Sequence, residues 1–459
     1  MKPPAAAGWL ISGLVHRSRE RILRSVLGTR LARGTLWSLV GSLAARTLAL
    51  VSSVIVARLL GRTGFGELGV VQSTIGTFQV FAGFELGVTA TKYVAEFKVR
   101  DPEKAGRIVG LSTVVAWATG AVVGAVMLGA APVLAASTLS APHLTGILRI
   151  SAVSLLLGAV SGAQIGALSG FEAFRRIAWI NLVTGIVSLP FMVAGALLAG
   201  LTGAVWGAVL TLATNVIVGH AALRGERRLH RVPVRYLGSR REWRVLFGFS
   251  LPAVLSGLLV VPVNWVCQAI LVNQPGGFDE MGLFNAANQW RMAILFLPGV
   301  LSGVVTPAFA GLARPEDHHR YRRLLWYNMG FNVAASIAIA LPVSLLSPFI
   351  MSGYGPSFVS GYPVLIVLCF TTVIYSGMSV IGSAIVGRGL MWWGVAQNAI
   401  WATVMIAATW QLRHQGAIGL AVATLLAYLV HLLSSAFLYG KIIGKPGDTD
   451  PSATVVSSR

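Results

Sequence analysis

Charge is what this sequence has least of. Asp, Glu, Lys and Arg make up only 11% of its 459 residues, against about a quarter in an ordinary soluble domain. Acids are the scarcer sign, with 15 Asp and Glu against 36 Lys and Arg. Only two cysteines occur, Cys267 and Cys369. Both fall in apolar stretches, which argues against a disulfide framework or a thiolate metal site and for small core residues. There is no Gly-x-x-x-x-Gly-Lys-Ser/Thr segment, so ATP-driven motion would need a partner subunit. A His-Glu-x-x-His helix is missing as well, and no metal or other cofactor is expected. Nor does a long polar insertion separate the apolar runs, which counts against a membrane glycan polymerase, ligase or glycosyltransferase; the chain does not read as an enzyme.

What is present is apolar. Hydrophobic residues make up 55% of the chain, with a mean hydropathy of +0.74. A membrane-spanning helix needs about 20 such residues in succession. Runs of that length recur at 36–58, 68–91, 108–131, 146–168, 177–199, 201–221, 245–272, 281–309, 324–347, 361–386, 391–411 and 415–439. Barrel strands would show shorter stretches of alternating polarity, which are not seen. The fold class is therefore an all-α integral membrane protein of about 12 transmembrane helices.

The basic residues say which way the spans run. All but six of the 36 lie at the termini or in every second connection. The exceptions are Arg58, Arg62 and Arg413 in the alternate connections, and Arg46, Arg149 and Arg291 within spans. Lys and Arg collect on the cytoplasmic side, so both termini are expected there and the chain is expected in a bacterial inner membrane. A net charge of +21 would point to nucleic acid in a soluble protein. Here the charges border apolar spans, where they set topology and meet anionic lipid headgroups, and no nucleic-acid partner is expected. Lys98, Arg175 and Arg176 belong to this cytoplasmic rim. The run Ala5 to Val15 precedes its arginines rather than following them, the wrong order for a cleaved signal peptide. Residues 14–31 mix leucines with arginines as an interfacial helix would.

The longest basic connection lies midway. We divide the chain into a basic N-terminal segment (1–35), a first lobe (36–222), a linker (223–244), a second lobe (245–440) and a cytoplasmic tail (441–459). The connection after the first span reads Gly64-Phe65-Gly66-Glu67-Leu68-Gly69, and the one after the seventh Gly277-Phe278-Asp279-Glu280-Met281-Gly282. Each is followed by an amide at the same offset, Gln72 or Asn285, as expected of a parallel-repeat transporter.

Further residues carry a resemblance. Ala57-Arg58-Leu59-Leu60-Gly61, Phe65-Gly66, Phe84-Glu85-Leu86-Gly87 and Tyr93-Val94-Ala95-Glu96 resemble the opening of the polysaccharide-biosynthesis flippases, the Wzx-type oligosaccharide-lipid transporters. The match covers residues 33 to about 100. It implies two six-helix lobes around a central cavity that opens alternately to either side. The implied cargo is a polyprenyl-pyrophosphate-linked oligosaccharide repeat unit carried outward for O-antigen, capsule or exopolysaccharide synthesis, with a polysaccharide polymerase as a candidate partner. A multidrug or cation antiporter of the same superfamily is the alternative.

Ionisable residues at bilayer depth normally face a cavity or a partner. Arg46 and Arg291 each lie about ten residues into a span, or roughly 15 Å deep. Under the resemblance they would line the cavity and hold the pyrophosphate, because guanidinium donates in pairs to phosphate oxygens. Glu85 is a candidate ion-coupling site or an ion-pair partner for Arg46. Gln72, Asn264, Asn285, Asn288 and Gln289 are candidate glycan contacts; Asn181, Asn215, Gln268, Asn332, Gln397 and Asn398 are further embedded amides whose bonds could equally join helices. His431 reads as a packed, neutral residue. Pro252, Pro262, Pro298, Pro307 and Pro342 are expected to bend their helices.

Overall fold

A computed structural model of the chain describes residues 6–83, 86–233, 259–296, 298–299, 309, 318–387 and 391–438. Apart from short 3-10 and π turns, the described elements are α-helices: α1 (Ala6–Gly83), α2 (Leu86–Arg100), α3 (Pro102–Val133), α4 (Thr145–Gly170), α5 (Phe174–Leu229), α6 (Val261–Val272), α7 (Gly277–Ile294), α8 (His318–Leu345), α9 (Ser347–Tyr354), α10 (Tyr362–Gly387), α11 (Met391–Gln411) and α12 (Gly416–Leu438). Helices satisfy their backbone groups internally, as the bilayer interior demands.

Among the described residues, seven helical stretches are long and apolar enough to cross a membrane. Two of these, Gly41–Gly83 and Phe174–Leu229, are each two helices joined at a kink and long enough for two crossings. The first folds at Gly61, where φ is 69°, so that Ala49, Ser53 and Val56 face the same small space as Phe65, Leu68 and Gln72. The second folds at Ala199 and Gly200, where φ of Gly200 is 56°. Gly195 and Gly203 then lie backbone to backbone across the turn. With α11 as the eleventh span and α6 and α7 in the seventh and eighth, the order of spans is the expected one. Bounds of the last three agree with the apolar runs within a residue or so.

Three details differ. The two Gly-Phe segments are not connections. Both are already helical, on the first turns of the second arm of α1 and of α7, because one glycine suffices for each reversal: Gly61, and Gly276 with φ 68°. The connection between the ninth and tenth spans is not a plain loop either; it holds α9 and a 3-10 turn, Pro356–Gly361. Finally, α5 runs on to Leu229, so the sixth span continues into what the sequence suggested was linker. Residues 14–31 are helical as expected, and no turn separates them from the first span. Pro262 falls in the first turn of α6, where a missing N–H is harmless, and Pro342 is three residues from the end of α8. Pro298 does interrupt its span: α7 stops at Ile294, the residue whose carbonyl the Pro298 nitrogen would have bonded. Pro252 and Pro307 lie outside the described residues.

Large apolar side chains face outward. Leu198, Phe349 and Leu345 are each more than 70% exposed, while small residues dominate many helix crossings, as suits lipid as solvent. Thr91 Oγ1 donates to both Gly87 O and Gly166 O at 2.9 Å where α2 crosses α4.

The lobes meet at the end that carries the Gly61, Gly276 and α9 turns, here called the turn end. Gly66 packs against the Phe278 carbonyl and within reach of Gly282 N, and Gly282 packs against the Arg62 carbonyl, approaches that only glycine permits. Asn285 Nδ2 donates to Phe65 O at 3.2 Å and Thr63 Oγ1 bonds Asp279 Oδ1 at 2.5 Å. Arg62 pairs with Glu280 at 3.3 Å, Arg58 Nε donates to Gly353 O at 2.5 Å, and Ser140 bonds Asn273 at 2.5 Å. Phe65 inserts beside Tyr354 and Phe358, with ring centroids 6.2 and 6.1 Å away. The Arg62–Glu280 pair is only partly buried, and it adds to the backbone contact and aromatic packing of this latch.

In a chain whose Cys267 and Cys369 are replaced by Ala, Thr63→Cys with Asp279→Cys should form an internal disulfide under mild oxidation, read as a gel shift. Adding Gly66→Val, whose Cβ has no room against Phe278, should lower the yield at least severalfold.

Candidate functional site

Besides a cleft at the turn end beside Arg58 and Gly61, three cavities among the described residues bear on the site. The first belongs to the N-lobe and encloses about 410 Å³. Three helix stripes wall it: Ser42, Ala45, Arg46 and Ala49 from α1, Asn181, Thr184, Gly185 and Ser188 from the first arm of α5, and Thr211 and Asn215 from its second arm. These positions recur at three and four residues because that spacing puts side chains on one helix face. The amides are held by neighbours: Asn181 Nδ2 donates to Ser42 Oγ at 3.3 Å, Asn215 Nδ2 to Thr184 Oγ1 at 3.1 Å, and Ser161 Oγ to Asn215 Oδ1 at 2.7 Å. Arg46 differs. Its guanidinium lies 4.6 Å from the ring centre of Phe296, a C-lobe residue that also lines the cavity, and it has no ion pair with a described residue.

A smaller cavity of about 160 Å³ shares Ala49 and Ser188 with the first and continues it toward the latch. Ser52, Ser53 and Gln72 line it from the N-lobe and Gln289 from the C-lobe. The Ser52 and Ser53 hydroxyls are buried without a hydrogen-bond partner among the described residues. The third cavity, about 560 Å³, lies within the C-lobe, lined by α10, α11 and α12 and by Leu295 beyond α7. Leu295 faces this cavity and the next residue, Phe296, faces the N-lobe cavity.

The structure separates the two arginines. Arg291 belongs to the C-lobe: its Nε donates to Asn288 Oδ1 at 2.8 Å, and it hydrogen-bonds Tyr428, a wall residue of the third cavity. The amides divide too. Gln72 and Gln289 meet in the cavity between the lobes. Asn285 is 8% exposed and spent on the latch, Asn288 is committed to Arg291, and Asn264 bonds the Val260 carbonyl of its own segment at 2.8 Å. On the rim, Lys98 pairs with Glu172 at 2.8 Å and Arg176 with Glu226, while Arg175 is exposed and makes no ion pair with a described residue. Glu85 lies outside the described residues. Sequence reading missed the small hydroxyls and the aromatics. Ser42, Ser188 and Thr211 leave their signal only as a stripe beside Arg46, and Tyr375, Trp401 and Tyr428 read as ordinary apolar residues. At the turn end, burial pushes the phenol of Tyr354 far above its ordinary range, and it accepts from Trp290 Nε1 at 3.1 Å.

Comparison with known proteins adds three findings. Residues 31–313 match the family described as "Polysaccharide biosynthesis protein". Among individual proteins, the chain is 25% identical over 332 residues to the EPS I polysaccharide export inner membrane protein EpsE of Ralstonia nicotianae, covering 62% of this chain and 73% of that protein. It is 22% identical over 409 residues to the lipid III flippase of Escherichia coli, covering 87% and 96%. Among solved structures, it superposes with a TM-score of 0.73 on the inward-facing conformation of a multidrug resistance MATE family transporter of the MOP superfamily, at 16% identity over 89% of this chain and 98% of that one. The outward-facing conformation gives 0.68 over 91% and 97%. At such identity the likeness concerns the fold, and it places this chain in the two-lobed, twelve-helix architecture.

Gly185 lies against Ala45, where a Cβ would come 2.8 Å from Ala45 Cα. Gly185→Leu should therefore wedge α1 from α5 and intrude on the N-lobe cavity, lowering stability by about 1–3 kcal/mol, measurable as a lower thermal midpoint of the purified protein.

Proposed function

The chain belongs to the polysaccharide biosynthesis protein family, and from that premise we propose that it is a flippase. It moves a polyprenyl-pyrophosphate-linked oligosaccharide from the cytoplasmic to the outer leaflet of the bacterial inner membrane, by alternating access of its two lobes, for surface polysaccharide synthesis. The observation that carries this reading is the N-lobe cavity, where Arg46 has no described acid beside it among hydroxyls and amides. A cation held at bilayer depth is unfavourable by at least about 2.5 kcal/mol, and an anionic ligand relieves that. Pyrophosphate oxygens suit the paired guanidinium donors.

Within this reading Arg46 takes the pyrophosphate and Phe296 yields its place over the guanidinium. Gln72, Gln289, Ser52 and Ser53 offer bonds to sugar hydroxyls deeper in. Arg291, oriented by Asn288 and Tyr428, is the second guanidinium, met as the lobes rock. The lipid tail stays in the bilayer between the lobes. Excess basic charge supports a cytoplasmic location for both termini and an outer one for the latched turn end; the lobe boundary of this reading is the basic segment 223–244. Lys98, Arg175 and Arg176 gather anionic lipid or substrate at the entrance, and a polysaccharide polymerase acts on the delivered unit. The chain is then a carrier rather than an enzyme. The antiporter alternative has the MATE-like fold in its favour. A cation carrier needs carboxylates; among the described residues these cavities have none in their walls, and Glu85 lies outside the described residues.

Deleting the gene should leave complete lipid-linked repeat units on the cytoplasmic face of the inner membrane. Supplying Arg46→Ala or Arg291→Ala in that strain should restore little surface glycan at unchanged protein level. A charge-assisted bond contributes about 1.5–3 kcal/mol, or ten- to a hundredfold in binding, and Arg46→Lys should recover part of it. Full export by both alanine variants would overturn the assignment, as would a normal lipid-linked pool with raised drug sensitivity in the deletion.

Reporter fusions test the orientation. Green fluorescent protein joined after Leu438 should fluoresce, and alkaline phosphatase inserted at Gln415 should be active; the opposite pattern would reverse the topology.

A further inference from the structure

The C-lobe cavity has a chemistry that the phosphate role of Arg46 leaves unused. Its wall is aromatic on one side: Tyr375 meets Tyr428 edge to face at 5.2 Å, and Trp401 lies 5.7 Å from Tyr428. Its polar lining is Ser379, Ser383, Gln397, Asn398, His431 and Ser435, with neither a carboxylate nor a Lys or Arg among the described lining residues. Two polar atoms there have no hydrogen-bond partner among the described residues: the indole N–H of Trp401, a side chain only 2% exposed, and Nδ1 of His431. Gln397 is tied to Ser435 at 3.1 Å.

An indole N–H is a donor only, and a buried donor without an acceptor is destabilising. The space it borders is where an acceptor can enter. At about 560 Å³ the cavity falls within the usual range for small-molecule sites, about 300–1,000 Å³. A bare cation or anion finds no formal charge among the described lining residues, and a lipid tail would strand its amides and hydroxyls. Sugar fits both surfaces: its C–H face lies against aromatic rings, and its hydroxyls donate and accept among amides, serines, imidazole and indole.

We propose that the C-lobe cavity is a glycan site, which holds sugar of the carried unit while Arg46 in the N-lobe holds its pyrophosphate. The proposal rests on the carrier reading above and adds a division of the load between lobes. Leu295 and Phe296, adjacent in sequence, face the two sites and mark how near they lie.

The test uses the full-length protein in lipid nanodiscs with three probes. These are the host's lipid-linked oligosaccharide, the oligosaccharide released from it by mild acid, and inorganic pyrophosphate. Trp401→Phe keeps the ring beside Tyr428 but removes the donor, and Asn398→Ala trims the cavity wall. Each should weaken binding of the released oligosaccharide about five- to tenfold, the loss of one net hydrogen bond, with pyrophosphate affinity unchanged. Arg46→Ala should do the reverse. If the wild type binds only the tethered form, the same loss read with the lipid-linked probe supports the site and identifies the lipid carrier as its source. Wild-type oligosaccharide affinity in both Trp401→Phe and Asn398→Ala would overturn the proposal, as would equal weakening of pyrophosphate in both.

The carrier reading fails separately. A normal lipid-linked pool in the deletion strain, together with Trp401-dependent sugar binding, would leave a glycan site on a protein that does not flip it. Cytoplasmic accumulation in the deletion, with sugar binding indifferent to Trp401 and Asn398, would keep the flippase and remove the site.

Discussion

The two lobes are joined by a backbone contact that only glycine allows. Gly66 on the second arm of α1 and Gly282 on α7 each sit against a carbonyl of the opposite lobe. Lipid supplies no hydrophobic force between helices, since its tails are as apolar as leucine, so association depends on close packing and on polar bonds. Both devices are concentrated at one end here. The glycines bring the helix starts together, and Asn285, Thr63, Asp279, Arg62 and Glu280 bond across the seam they create. Tyr354 and Phe358, from the segment between the ninth and tenth spans, close it against Phe65. With the lobes fastened there, polar cavities form between and within them.

Scarcity of acid determines what those cavities can bind. Several of the described acids are committed at helix ends: Glu172 to Lys98, Glu226 to Arg176, Glu67 to His143, Asp101 as a cap on α3, and Glu280 to both Arg62 and the Ala417 N–H. Arg46 makes no ion pair with a described residue and has an aromatic ring at 4.6 Å, an interaction on the order of 0.5–2 kcal/mol. That offsets part of the desolvation of a guanidinium and leaves its donors available. The described lining of the C-lobe cavity likewise carries no formal charge and offers ring faces and neutral hydrogen-bonding groups.

The fold was legible because the bilayer restricts the chain to a few patterns. A run of about 20 apolar residues has one structural solution in lipid, which is why α10, α11 and α12 fall on their expected spans. Turns were less legible, since a single glycine at positive φ reverses a helix without the polar residues that mark a turn in water; Gly61 and Gly276 did this inside segments that still read as connections. The site was legible in its charges and amides, which are conspicuous in apolar sequence. Arg46, Asn181, Asn215, Gln72 and Gln289 were all singled out and all line cavities. Asn285 had the same appearance in sequence yet joins the lobes, because a lone amide is indistinguishable by type whether it meets a sugar or a carbonyl across an interface. Serine and threonine are common in membrane helices, and tyrosine and tryptophan belong to apolar runs, so Ser42, Thr211, Trp401 and Tyr428 gave no signal until their helices were placed.

The break in the eighth span connects these observations. Pro298 has no N–H to offer Ile294, and α7 ends there. Beyond it, Leu295 turns to one cavity and Phe296 to the other. At its other end α7 carries Gly282 and Asn285 into the latch, and between lie Asn288, Gln289 and Arg291. One short helix and the two residues that follow it therefore reach the seam, the central cavity and both side cavities. A displacement of α7 relative to α1 would shift Phe296 over Arg46 and Gln289 against Gln72 together. Under the proposed function, a movement that opened the latch would therefore also disturb the ring over Arg46.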